Sequence, residues 1–234
     1  MLLSIIRQNQ KLAAKRNPAF DRNRFAKFLI YFMVAFWAAY LIFIGVMLSF
    51  AFEDIFPSME PYHIMNQGLI YLLILDFLLR FMLQPAMSQE IKPYLLMPVK
   101  KNKLVDTLLL QSGISSYNFF WFFLIIPFAL LTIIRFYGLT GILCYLCGIW
   151  LLMVMNSYWY LICKTLLNEK LLYILLPIGV YGLLAGTEFI PEGNPVSTFM
   201  MNLGEGFIEG NILAFLGVIA AILLLLLVNR KLQL

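Results

Sequence analysis

Apolar positions run on almost without interruption in this chain, and they do so six times. The runs cover about Phe28 to Phe50, Ile64 to Leu83, Ser115 to Ile134, Leu139 to Ile162, Leu171 to Ala185 and Ile212 to Val228. None shows the alternation of a membrane barrel strand, and in lipid a single segment can satisfy its own N–H and C=O groups only as a helix. About 20 residues rising 1.5 Å each cross a hydrocarbon core of about 30 Å, so the pattern predicts six transmembrane helices. The fifth run is short and carries Pro177, which calls for little tilt or for help from the segment that follows.

Composition sharpens this picture. Of 234 residues, 62% are hydrophobic and 12% charged, with mean hydropathy +0.88; an ordinary soluble domain carries about 25% charged residues. Six crossings take about 120 residues, and the remainder is spread over ends and loops, so no large soluble domain fits. The net charge of +5 does not point to nucleic acid, because Lys and Arg in a membrane protein first report orientation. Arg7, Lys11, Lys15, Arg16, Arg22, Arg24 and Lys27 precede the first run. Lys92, Lys100, Lys101 and Lys103 fall between the second and third, Lys164 and Lys170 between the fourth and fifth, and Arg230 and Lys231 after the last. Arg135 alone falls on the other side, which instead collects Glu53, Asp54, Glu60, Glu188, Glu192, Glu205 and Glu209. Both termini are therefore expected in the cytoplasm.

The expected fold is an all-α integral membrane protein, with residues 28–234 as one six-helix domain behind an N-terminal segment, residues 1–27. Basic positions in that segment are too dispersed for a cleavable signal. Leu2, Leu3, Ile5 and Ile6, set against Arg7, Gln10, Lys11 and Lys15, suit a helix lying in the headgroup plane. Asn17-Pro18 would end it. The other reading is a solvated basic tail that sets orientation alone.

The cytoplasmic connection, residues 84–104, is the most informative stretch. Pro93 can open a short helix and Pro98 close it, leaving Tyr94 to Met97 between Glu90 and the cluster Lys100, Lys101 and Lys103. Such a stub can dock into a groove on a soluble partner; alternatively it is a loop whose lysines meet lipid headgroups. An acidic residue, then Leu-Leu-x-Pro-Val, basic residues and a new helix, placed after the second of six spans, resembles the coupling helix of type-2 ABC export permeases. The N-terminal helix is similar to the elbow helix of that family. Asn194-Pro195-Val196-Ser197 resembles an Asn-Pro stretch that many members carry before the last span. More narrowly, the chain resembles Bacteroidetes-type permeases of uncharacterised function in this superfamily, many of which extend further than three residues past the equivalent of Lys231.

That resemblance implies that Glu90, Tyr94, Leu95, Leu96, Pro98 and Lys100 contact a cytoplasmic P-loop ATPase, and that Asn194 and Pro195 belong to an extracytoplasmic gate. It implies a second permease copy or a related half, and a place in the bacterial inner membrane. ATP and Mg would sit on the separate ATPase. This chain has no G-x-x-x-x-G-K-[ST], and no cofactor of its own is expected.

Three further features remain. Asp76 and Arg80, one helical turn apart in the second run, can pair on one face; both a structural ion pair and a role at a gate or subunit interface stay open. The extracytoplasmic segment 186–211 mixes glutamates with apolar residues and glycines, which suits interfacial or re-entrant helices that either close the outer mouth or simply pack over it. Cys144 and Cys147 lack a second ligand pair for a metal, and His63 is the sole histidine. With no catalytic constellation in sight, an enzyme is disfavoured. The rival to a permease is a non-transporting membrane anchor or regulator that recruits a cytoplasmic partner through the same connection.

Overall fold

The computed structural model describes residues 24–84, 94, 100–187 and 194–233, together with Ser4, Ile6, Gln8, Asn9 and Leu12. Its helices are α1 (Arg24–Ile55), α2 (Pro61–Gln67), α3 (Leu69–Leu83), α4 (Lys101–Gly113), α5 (Phe122–Thr132), α6 (Ile134–Glu169), α7 (Leu175–Gly186), α8 (Pro195–Ile208) and α9 (Ile212–Gln233). Tighter 3-10 turns occupy Ser116–Phe119 and Leu171–Ile174, and no strand occurs among the described residues. Most of α1, all of α6 and all of α9 are each long and apolar enough to cross a membrane. The number rises to five if α2 with α3, and α4 with α5, each form one bent span.

Local chemistry explains why two of the expected runs bend. The second run divides at Gly68, where α2 and α3 meet at 50°; glycine is a poor helix former and sits readily at such a break. The third run begins as a turn and becomes helical only at Phe122. Asn118 folds back so that its side-chain nitrogen donates to the carbonyls of Ser112 (3.2 Å) and Gly113 (2.5 Å), satisfying groups that the end of α4 leaves open. Length for that bent unit comes instead from α4, lying at 56°. Polar residues interrupt α4, but Leu104, Val105, Leu108 and Leu109 are buried. The last run extends beyond Val228 to Gln233, and Leu171–Gly186 is a shorter apolar helix.

Helix α6 forms the centre, packing on α3, α4, α5, α8 and α9. Nearly half of its most apolar stretch, 44%, is buried, against 11% for α1 and α9, so those two are peripheral. Two apolar clusters surround it. Toward His63, Leu69, Ile70 and Leu73 meet Ile125, Phe128, Ile149, Leu152 and Phe207. Toward Gln84, Phe77 meets Leu104, Leu108, Tyr158 and Leu161, and Ile6 is buried with them. Long stretches of α1, α7 and α9 present exposed Phe, Leu and Ile, a surface that calls for hydrocarbon or another apolar partner.

Close packing near His63 depends on absent side chains. A Cβ on Gly148 would stand 2.2 Å from the Phe207 ring, and one on Gly204 would stand 2.3 Å from the Asn66 side chain. Gly182 has nothing within 4 Å. Gly148→Ala and Gly204→Ala are each expected to cost about 1–3 kcal/mol by overpacking, whereas Gly182→Ala should be neutral or slightly stabilising through helix propensity. Thermal unfolding of the three variants in detergent checks this order, and equal midpoints would contradict it.

Candidate functional site

The buried face of α3 carries an acid and a base, Asp76 (3% exposed) and Arg80 (1%). Four residues of helix put them on one face, and Arg80 Nε donates to Asp76 Oδ2 at 2.7 Å. Asn156 on α6 donates through Nδ2 to the same oxygen (2.7 Å) and to the carbonyl of Leu73 (2.9 Å). Trp121, in the turn ahead of α5, donates its indole N–H to Asp76 Oδ1 at 2.9 Å. Tyr181 on α7 donates to Asn156 Oδ1 at 2.8 Å. Burying an acid and a base in an apolar interior is tolerable only when they are paired and hydrogen-bonded, and the four helical neighbourhoods supply those bonds together.

Arg80 is only partly used. Both of its terminal guanidinium nitrogens lack a hydrogen-bond partner. Arg230 on α9 lies against both carboxylate oxygens of Asp106 on α4, at 2.9 and 3.1 Å, and its hydrogen bond there comes from a terminal nitrogen.

One turn beyond Arg80, α3 ends and its last carbonyls need partners. Lys164 on α6 donates to the carbonyls of Phe81 (2.8 Å) and Gln84 (2.6 Å), and the Tyr160 hydroxyl donates to Gln84 O at 2.7 Å. A cation at a helix C-terminus also meets the negative end of its dipole. The Lys164 ammonium lies over the Phe81 and Tyr160 rings, 5.1 and 5.4 Å from their centroids. Segment 84–104 therefore leaves from a fastened point. Within it, Tyr94 is half-buried against the Gln84-end cluster, and Lys100 is exposed immediately ahead of α4. Glu90, Leu95, Leu96 and Pro98 lie outside the described residues.

At the opposite end, Asn194 and Pro195 begin α8. The Asn194 side-chain oxygen accepts from the backbone of Val196 and Ser197, both at 3.1 Å, and from the Thr187 hydroxyl at 3.0 Å. Pro195 fills the first helical position, where its missing N–H costs nothing. Helix α8 packs on α2 and α6. His63 contacts the Glu205 carboxylate, Gln67 reaches the Met201 sulfur at 3.3 Å, and Tyr145 donates to Asn66 Oδ1 at 2.9 Å. An open cleft of about 590 Å³ lies beside them, lined by residues including Glu53, Glu60, His63 and Met201. Glu53 is engaged by Arg135 at 2.9 Å.

Sequence reasoning singled out Asp76 and Arg80, which the structure brings together, but it missed Asn156, Tyr181 and Lys164. Asn156 was visible in principle as a lone amide amid an apolar run, the criterion that exposed Asp76. Trp121 is a buried packing residue that in addition commits its N–H to Asp76, a bond its sequence context does not show.

Removing one member of a buried pair leaves an uncompensated group, so Asp76→Ala should cost about 3–5 kcal/mol. Adding Arg80→Met to Asp76→Ala should recover a large part of the loss. Denaturant unfolding of the single and double variants in micelles measures the coupling, and strict additivity would contradict it.

No curated protein and no solved structure matches the chain. A family model covers residues 10–234, nearly its whole length, and the chain belongs to that family, the family of unknown function DUF5687.

Proposed function

We propose that the chain is the transmembrane permease subunit of an ATP-driven ABC exporter in the bacterial inner membrane. Its six crossings are α1, bent α2 with α3, bent α4 with α5, α6, the short Leu171–Gly186 element and α9, with both termini in the cytoplasm. The N-terminal segment is the elbow helix, a reading supported by the burial of Ile6 at the Gln84 end. Asn194 and Pro195 start the helix that closes the outer mouth.

The observation that carries this reading is the fastening of segment 84–104 at both ends. Gln84 is held to α6 through Lys164 and Tyr160, and α4 is held to α9 through Asp106 and Arg230. A push on Glu90, Tyr94, Leu95, Leu96, Pro98 or Lys100 by a P-loop ATPase closing on ATP and Mg thus has two stiff routes into the helices. A second permease copy or related half would share the load and cover part of the exposed apolar surface.

Affinity purification of the tagged chain in mild detergent should recover a P-loop ATPase in equal amount, and Glu90→Ala or Leu95→Ala should reduce that recovery and ATP-dependent transport while insertion persists. Recovery of the chain alone, or with a partner that is no ATPase, favours the anchor or regulator. In a background lacking Cys144, Cys147 and Cys163, a cysteine replacing Lys100 should react with an impermeant thiol reagent only from the cytoplasmic side, and one replacing Glu60 only from the other.

A further inference from the structure

Among the described residues, the least satisfied group in the interior is the Arg80 guanidinium. It owns five N–H donors in a planar fork, and one of them is spent on Asp76. Both terminal nitrogens are without a partner although the side chain is 1% exposed. A buried charged donor left unmade is costly, whereas donors facing water are not. Asp76 does not ask for the rest of the fork, because Trp121 and Asn156 already supply its two oxygens. If the pair existed only to hold helices together, a bridge through both terminal nitrogens of the fork would serve it better.

Position and charge say what is missing. The backbone of Arg80 stands one helical turn, about 6 Å, from the end of α3, with its guanidinium turned back toward Asp76; in the six-crossing arrangement, on which this depth rests, that is within reach of a leaflet's headgroup boundary. Lys164 on the facing helix is a second cation there, with two of its three N–H donors on carbonyls. Asp76 offsets one of these two positive charges. Helix α7 gives a lateral approach: Tyr181 is its polar tie to this network, its ring lies 5.0 Å from Phe77, and most of the helix is exposed. Leu75, Leu78 and Met82 on α3 and Leu175, Ile178 and Leu183 on α7 are exposed apolar surface along which acyl chains can lie.

We propose that Arg80 is the anion-binding group of a phosphate site at the Gln84 end of α3, its unpaired fork taking a phosphate group carried by a phospholipid of that leaflet or by a soluble phosphate compound. Guanidinium forks suit phosphate oxygens in both geometry and charge. The inference rests on Arg80 and its neighbours and holds whether or not an ATPase couples to the chain.

Full-length chain in nanodiscs of equal phosphatidylglycerol and phosphatidylcholine, released into native mass spectrometry, tests the lipid source. Retention of phosphatidylglycerol is expected to exceed that of phosphatidylcholine, and Arg80→Lys, which keeps the charge beside Asp76 but lacks the fork, should lower it about tenfold, the worth of one charge-assisted hydrogen bond. For the soluble source, lipid-stripped chain in detergent is titrated with inorganic phosphate against chloride at equal ionic strength. A rise in the unfolding midpoint that saturates with phosphate, where exclusion from the surface would climb without saturating, supports the soluble source when lipid is not enriched, and this wild-type measurement stands even where Arg80→Lys fails to fold. Absence of both responses, or equal responses in a folded Arg80→Lys chain, overturns the proposal.

Discussion

A carboxylate buried in an apolar helix bundle must be given its hydrogen bonds by whatever packs against it, and Asp76 imposes that condition here. Its donors come from its own helix one turn on, from the turn ahead of α5 and from the middle of α6. Each is placed by a local feature. Arg80 follows from the helical repeat, Trp121 from the turn that Asn118 stabilises against the end of α4, and Asn156 from a position on α6 that faces α3. Asn156 is then fully committed, with its nitrogen on Asp76 and Leu73 and its oxygen taken by Tyr181. Four parts of the bundle are tied to one side-chain group that cannot be moved without leaving a donor or an acceptor stranded.

Above and below that group the helices are held by different physics. Near His63 the contacts are close and depend on size: Phe207 lies against Gly148, Asn66 against Gly204, and Gly45 of α1 admits the backbone of Leu124 and the ring of Pro127. Near Gln84 the fastenings are polar and reach across helices: Lys164 and Tyr160 on the end of α3, Arg230 on Asp106, and Asn229 of α9 on the carbonyl of Tyr158. Dispersion contacts between small residues lose their value over fractions of an ångström. Tolerance of added size is therefore least toward His63, whereas the Gln84 end, from which segment 84–104 departs, is held by directed polar bonds.

Much of the helical layout was legible because uninterrupted apolar runs admit few alternatives in lipid. The centres of α1, α6 and α9 fall where hydrophobicity alone puts them. What hydrophobicity could not show was the break at Gly68 and the turn at Ser115 to Trp121, because both depend on who accepts and donates at a helix end. Helix α4 was hidden for a related reason: its polar residues mask Leu104, Val105, Leu108 and Leu109, which are buried only because α6 and α9 lie beside them. Within the candidate site, Asp76 and Arg80 announced themselves as charges inside an apolar run. Asn156, Tyr181 and Lys164 did not, since a sequence gives no distance between runs whose contacting residues lie 25 to 80 positions apart.

The same bonding pattern identifies the element that can move at least cost. Helix α7 is short, opens with a 3-10 turn, and buries only Pro177 fully. Tyr181 joins it to the Asp76 network by one hydrogen bond, and Thr187 joins its far end to the cap of α8. Swinging α7 away would free Asn156 Oδ1 and expose the side of Arg80's network without touching any donor on Asp76 itself. By contrast, a displacement of α3 against α6 would strand the carboxylate, the Gln84 carbonyl and Lys164 at once. An opening at α7 accordingly preserves the buried pair, with α3 and α6 moving as one body.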